Sequence, residues 1–303
     1  MRKNNVNEMT TSSTGVIIKT YNSYYYVVSE DTITACKLRG RFKKERYSLL
    51  VGDKVIFNKL EDDTGVIEEI LPRNTMLKRP LVANVDQVII VFAAKEPDIN
   101  RTLVDRFLII AEQSNLDIII CLNKTDLVKE ISDKTLINEI VENYTKIGYK
   151  VIELSATEGI GVSDIIPLLE NKISVFTGPS GAGKSALLNA INPDFKLNTG
   201  ELSEKIKRGK HTTRYAEILK LTPSSFVVDT PGYSFTEFEG MIEEKDLMYF
   251  FPEFLNYIPK CKFNTCLHFK EPDCAVKKAV DDNLIFDWRY QSYLDTLEKI
   301  KKD

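Results

Sequence analysis

Apolar and β-branched positions alternate in short runs through the first part of the chain. The runs Gly15–Tyr21, Tyr24–Glu30, Thr32–Leu38, Asp53–Lys59 and Thr64–Ile70 are rich in Val, Ile, Thr and Tyr. Turn-forming pieces separate them: Asn22-Ser23, Glu30-Asp31 and Glu61-Asp62-Asp63. Five strands in so short a stretch, with a longer basic loop after the third, predict a small closed barrel of OB type. After Pro72 the rhythm changes. Buried-type strands at Gln87–Ala93, Asp117–Leu122, Lys150–Leu154 and Ile173–Thr177 alternate with helical patterns at Arg101–Gln113, Asp133–Lys146 and Val162–Leu169. That alternation predicts a parallel sheet with crossover helices. Two more strands, Ala216–Leu221 and Ser225–Val228, close the region, and from about Gly240 the chain turns to aromatic helical segments around cysteines.

The predicted fold class is therefore multidomain α/β. It comprises an N-terminal arm over 1–14, an OB-type barrel over 15–72, a nucleotide-binding domain over 73–239 and a helical metal-binding domain over 240–303. Of the 303 residues, 43% are hydrophobic and 28% charged, which excludes a long disordered chain, a collagen-like fibre and a pure coiled coil. The apolar runs Val88–Ala94 and Ile118–Leu122 are too short to span a bilayer, and Met1–Thr14 lacks the apolar core of a signal peptide. A cytoplasmic chain is expected, with its five cysteines reduced or holding metal. A net charge of −3 does not by itself demand nucleic acid, so any such contact must come from local patches.

The strongest chemical signal is Gly178-Pro179-Ser180-Gly181-Ala182-Gly183-Lys184-Ser185, directly after an apolar strand and before the helix that contains Ala186 and Leu187. Small residues let backbone N–H groups curl around phosphates, and the helix N-terminus adds its positive end. Lys184 is placed to neutralise the β- and γ-phosphates, and the Ser185 hydroxyl to ligate magnesium. At the end of an earlier strand stands Asn123-Lys124-Thr125-Asp126. A carboxylate there accepts from the N1–H and exocyclic amine of guanine, a pairing that adenine cannot make. Asn123 is expected to tie this turn to the phosphate loop, and the Lys124 stem to cover the base. Ser155-Ala156-Thr157 follows the next strand and offers a backbone N–H to the guanine O6. Both segments lie at strand C-terminal ends, where ligands bind in open α/β sheets.

Asp229-Thr230-Pro231-Gly232 supplies a carboxylate that can hold magnesium through water, and the Gly232 amide for the γ-phosphate. Thr212 and Thr213 are both candidates for the second hydroxyl on magnesium, and the residues leave the choice open. Tyr233 stands where a glutamine would orient the attacking water. His211 is a candidate for that role, its alternative being a solvated histidine in a basic loop. The phosphate loop follows the base motif instead of preceding it, the order of a circularly permuted nucleotide domain. Cys261, Cys266, His268 and Cys274 supply three thiolates and one imidazole, a closed tetrahedral shell that predicts one structural zinc ion. Lys37–Arg46 carries six basic residues and one acid, and Lys205–Arg214 five basic residues and no acid. With Tyr24, Tyr25, Tyr26, Phe42 and Tyr47 nearby as stacking surfaces, these patches point to RNA.

Taken together, the barrel, the permuted order of Asn123–Asp126, Gly178–Ser185, Gly209–Thr213 and Asp229–Gly232, and the cysteine cluster with Glu271–Val276 resemble the RsgA (YjeQ/YloQ) family of bacterial GTPases. The resemblance spans roughly Gly15 to Ile300. It implies a GTP hydrolase stimulated by the small ribosomal subunit. Such a factor acts late in assembly, binds near the decoding region and contacts 16S ribosomal RNA. It also implies that His211 is catalytic. Asp273 departs from the pattern, standing where the family's finger often has glycine. Two readings from other classes are a GTP-dependent RNA scaffold with negligible turnover, which Tyr233 favours, and an ATPase or kinase, against which Asn123–Asp126 argues. A monomer is expected, since no self-complementary patch is evident.

Overall fold

The computed structural model describes residues 12–40, 48–78, 81–197, 217–222, 225–229 and 242–302. The chain forms two compact units, one from Met1–Asp86, Leu168–Val175 and Leu202–Tyr233, the other from Gln87–Pro167, Phe176–Glu201 and Ser234–Asp303.

In the first unit, β1 (Ser12–Tyr21), β2 (Tyr24–Ser29), β3 (Thr32–Leu38), β4 (Lys54–Lys59) and β5 (Thr64–Ile70) close into a barrel in the order β1-β2-β3-β5-β4. Every pairing is antiparallel except β3 with β5, and β1 with β4 completes the ring. The core is filled by Ile17, Val27, Cys36, Leu49, Val55, Phe57 and Ile67. β1 begins at Ser12 instead of the expected Gly15, because Ser12, Ser13 and Thr14 pair through backbone with Asn58, Phe57 and Ile56. Such pairing needs no apolar side chain, so alternation cannot report it. At the barrel's rim the buried Asp53 carboxylate accepts from Arg73 Nε and Nη2 at 2.6 and 2.8 Å and from the Leu50 amide at 2.7 Å. A hairpin of β6 (Met76–Lys78) and β7 (Leu81–Ala83), absent from the sequence expectation, packs beside it. Strands this short carry no readable alternation.

The same unit holds β12 (Glu217–Lys220) antiparallel to β13 (Phe226–Asp229), and β13 runs parallel to the start of β11 (Ile173–Thr177). Lys220 Nζ donates to Glu30 O at 2.7 Å and pairs with Asp31 at 2.6 Å, fastening β12 to the β2–β3 turn.

In the second unit, β8 (Gln87–Ala93), β9 (Asp117–Asn123) and β10 (Lys150–Glu153) lie parallel in the order β10-β9-β8. Every residue of β8 is buried, which is why the run reads as continuously apolar. Their connections are α1 (Arg101–Glu112) and α2 (Ile131–Ile147), followed in sequence by α3 (Val162–Leu169). α1 starts one residue after Asn100, whose side chain accepts from the Leu103 amide as an N-cap. α2 starts at Ile131, earlier than the expected Asp133. The last residues of β11, Phe176 and Thr177, lead into the glycine loop and α4 (Lys184–Ile191). The C-terminal part is a series of single 3-10 turns, Leu247–Phe250, Pro252–Phe254 and Ile258–Lys260, then α5 (Ala275–Asp281) and α6 (Asp287–Ile300). Phe251, Phe254, Val276, Tyr293 and Leu297 form its core, which also takes in Ile109 of α1.

Candidate functional site

The glycine loop bends where only glycine fits. Gly178 has φ +139°, and a Cβ there would stand 2.0 Å from Val91 O of β8. Gly183 has φ +89°, and a Cβ there would stand 2.1 Å from the Asn123 side-chain amide. The loop therefore lies directly against the ends of β8 and β9, with Gly183 as the residue before α4. Pro179, Ser180, Gly181 and Ala182 complete its turn, and Ser185 is buried in the first turn of α4 with Ala186 next to it. Lys184 Nζ donates to Gly178 O and Pro179 O at 2.7 and 2.8 Å, and burial pushes its ammonium down to about 8.

Asn123, at the C-terminal end of β9, is 2% exposed and bridges two segments. Its Nδ2 donates to Ala182 O at 3.0 Å, and its Oδ1 accepts from the Ala156 amide at 3.0 Å. The phosphate loop and the Ser155–Thr157 turn are thus held by one side chain, as the sequence led us to expect for the phosphate loop. Lys124 adopts φ +64°, in the left-handed region, which turns the chain sharply out of β9. Its ammonium donates to Glu96 O. Thr125 and Asp126 sit in a 3-10 turn, and Asp126 Oδ1 accepts from the Ser155 hydroxyl at 2.5 Å. That bond fixes the carboxylate beside the Ser155–Thr157 turn. The Ala156 amide is already given to Asn123, which the sequence did not indicate. Asp229 ends β13. His211, Thr212, Thr213, Gly232 and Tyr233 lie outside the described residues, as do most of the two basic patches.

Among the described residues, Cys261, Cys266, His268 and Cys274 form the group able to hold a metal ion, with their ligand atoms all within 4.8 Å of one another. His268 Nδ1 faces the sulfurs of Cys261, Cys266 and Cys274 at 3.6, 3.4 and 3.3 Å, while Nε2 faces Met248 Sδ. Burial pushes the Cys266 thiol up to about 12 and holds the imidazole below its ordinary value. A neutral imidazole is the form that binds metal. The loop is braced from outside. Glu271 accepts from the Leu267 and Phe269 amides at 2.9 and 2.8 Å. Tyr290 and Tyr293 of α6 donate their hydroxyls to His268 O and Leu267 O, both at 2.7 Å. These braces were invisible as roles in the sequence, although the i, i+3 spacing of the two tyrosines places them on one helix face. Cys36 and Cys121 are fully buried core residues, as their strand positions indicated. Asp273 has φ +56°, the left-handed conformation that favours glycine, and pairs with Lys262 at 2.8 Å.

A glycine loop held by the side chain that ends the base-motif strand, in permuted order, together with a five-stranded barrel and a Cys3His cluster, defines a circularly permuted GTPase. Residues 70–239 match the RsgA GTPase family and residues 14–67 the RsgA N-terminal domain, so the chain belongs to the RsgA family and is a GTP-hydrolysing enzyme. It is 46% identical over 288 residues to the small ribosomal subunit biogenesis GTPase RsgA of Caldanaerobacter subterraneus subsp. tengcongensis, covering 95% of this chain and 96% of that protein. To the protein of the same name from Bacillus subtilis it is 43% identical over 291 residues, with 95% and 97% covered. Two solved structures are similar throughout. YloQ, described as a circularly permuted GTPase, has a TM-score of 0.81 at 37% identity, covering 98% of this chain and 97% of that one. YjeQ from Thermotoga maritima has a TM-score of 0.83 at 35% identity, covering 97% and 100%.

Proposed function

We propose that this chain hydrolyses GTP to GDP and phosphate in the biogenesis of the small ribosomal subunit, and that contact with the subunit and its 16S RNA stimulates the reaction. The observation that carries the nucleotide assignment is the pair of hydrogen bonds of Asn123, donated to Ala182 O and accepted from the Ala156 amide, which hold the phosphate loop and the Ser155–Thr157 turn to one side chain. Asp126 accepts from the guanine N1–H and exocyclic amine, with the Ser155 hydroxyl holding it in place. The Lys124 stem lies over the base plane, and O6 meets a backbone N–H of the Ser155–Thr157 turn other than those of Ser155 and Ala156, which are given to Ile160 O and Asn123 Oδ1. Amides of Gly178 to Ser185 and the N-terminus of α4 hold the phosphates. Lys184 exchanges its two carbonyl partners for the β- and γ-phosphate oxygens. Magnesium, when bound, neutralises charge developing between these phosphates. Ser185, Asp229 and one of Thr212 and Thr213 are the side chains that would hold it. The Gly232 amide meets the γ-phosphate, and His211 orients the attacking water in place of the glutamine that Tyr233 replaces.

The Cys3His cluster holds one structural zinc ion. Around a tetrahedral zinc with Zn–S about 2.3 Å and Zn–N about 2.0 Å, a nitrogen stands about 3.5 Å from each sulfur and sulfurs about 3.8 Å apart. Nδ1 to the three sulfurs spans 3.3 to 3.6 Å, Cys261 to Cys274 is 4.0 Å and all four ligand atoms lie within 4.8 Å of one another, a donor set and spacing that suit this ion. The barrel contributes RNA contacts through Lys37–Arg46 and Tyr24–Tyr26; Lys37 Nζ lies 5.0 Å from the centre of the Tyr24 ring. We assign the chain as a cytoplasmic monomer with the division at 15–72, 73–239 and 240–303. Phosphate release from GTP and from ATP, with His211→Ala alongside, tests the assignment. GTP is turned over and ATP is not, and His211→Ala loses turnover while nucleotide affinity is kept. Equal use of ATP contradicts the reading of Asp126.

A further inference from the structure

Helix α1 begins immediately after the loop at 94–100, and that loop touches the base-motif half of the nucleotide site and lies beside the phosphate loop. Glu96 O accepts from the Lys124 ammonium. Pro97 Cδ lies 3.5 Å from where a Cβ of Gly181 would stand. Lys95 spans two carboxylates, Asp98 and Asp133, at 3.1 Å each. What fixes this loop at its far end is α1, and α1 is held by a buried charge. Asp105 of α1 accepts from Arg289 Nη1 of α6 and from the Tyr144 hydroxyl of α2, both at 2.7 Å. Arg289 is 0% exposed. Its Nε and Nη2 go to Glu253 at 2.6 and 3.2 Å, and its guanidinium stands 4.5 Å from the centre of the Phe251 ring. Trp288, its neighbour in sequence, packs edge-on against Tyr144 at 5.3 Å and under the Arg101 guanidinium at 5.5 Å.

One guanidinium thus joins α1, α6 and the Pro252–Phe254 turn at a point with no water exposure. Removing one member of such a buried charge group strands the others and is far costlier than losing a surface pair. α1 and the C-terminal segments are therefore constrained to move together. Nothing in catalysis calls for this charge, and apolar side chains in place of every member of the group would serve packing as well.

We infer that Arg289 is a positioning residue of the nucleotide site: through Asp105 it fixes α1, and through α1 the loop at 94–100 that braces Lys124 and the phosphate loop, so that the metal-bearing C-terminal segments set how fast guanine nucleotide leaves. The inference rests on the reading that Asn123–Asp126 and Gly178–Ser185 hold guanine nucleotide. It also names a route by which a partner that grips the C-terminal segments alters nucleotide exchange without touching the nucleotide.

The test measures release and association of fluorescent N-methylanthraniloyl-GDP for the full-length protein, for Arg289→Met and for Arg289→Lys, with metal content assayed in each. Arg289→Met releases the nucleotide at least about fivefold faster with association and metal content unchanged, and Arg289→Lys, which keeps a positive charge between the carboxylates, stays within about twofold of the parent. A merely structural role does not separate release from association in this way. Arg289→Met with full metal content and the parent's release rate overturns the inference. Hydrogen exchange on the unaltered protein gives a second arm that does not depend on the variant folding. Adding GDP slows exchange of the α6 amides, and an α6 indifferent to GDP overturns the inference equally. An unaltered protein that binds no guanine nucleotide would contradict the reading of the loops themselves, and the inference with it.

Discussion

Lys184 keeps its ammonium on the carbonyls of Gly178 and Pro179, inside a loop that withdraws it from water. Burial lowers its value to about 8, so the nucleotide-free fold favours the neutral amine and gains stability as pH climbs above 8. Phosphates favour the ammonium, so binding above that pH takes up a proton. GTP affinity therefore weakens by about fivefold between pH 8 and 9, and Lys184→Arg, which stays charged, removes the dependence; titration calorimetry at the two pH values checks this. Asp126 gives a sharper change of chemistry. Asp126→Asn replaces an acceptor with a donor facing the guanine amine and costs about 2–3 kcal/mol of GTP affinity. Xanthosine triphosphate, with a carbonyl at that position, gains in competition assays. Both residues were legible in the sequence because each lies in a short pattern at a strand end. Glu96 was not, since its part is played by a backbone carbonyl, which has no residue-type signature. Arg289 was not either, because a basic residue on an amphipathic helix reads as solvated until its burial is seen.

At the scale of elements, β8 and α3 were placed at their observed bounds because long uniform or periodic runs leave little choice. The β6–β7 hairpin escaped because its strands are shorter than one readable repeat. The C-terminal segments were expected as helices, yet much of the stretch before α5 is single 3-10 turns. Aromatic density there reports a core but no period. The loop of the Cys3His cluster supplies what those turns lack in regular hydrogen bonding, since His268 O and Leu267 O are capped by tyrosines of α6 and Cys274 starts α5 by accepting from the Lys277 amide. Cys274→Ser removes a thiolate ligand while leaving a hydroxyl able to accept from the Lys277 amide, so its effect reports the loss of the ligand and not of the cap. We expect it to lower stability by more than about 3 kcal/mol in denaturant unfolding, and to make the protein insensitive to a zinc chelator that destabilises the parent. Chelator sensitivity that survives the substitution contradicts the four-ligand assignment.

Across the whole molecule, the order of motifs along the chain has a mechanical consequence. β12 and β13, which follow Thr213 in sequence and end at Asp229, are built into the same unit as the barrel, with Lys220 fastened to Glu30 and Asp31. The base-reading turn, the phosphate loop and the metal cluster belong to the other unit. We expect RNA contacts on the barrel and partner contacts on the C-terminal segments to act on separate units, as suits a hydrolase that is slow alone and fast on its partner. The measurement that tests this account most directly is phosphate release from GTP with and without purified small ribosomal subunits, in multiple turnover. The account predicts slow release alone and strong stimulation by the subunit. Tight GTP binding with no stimulation would contradict it.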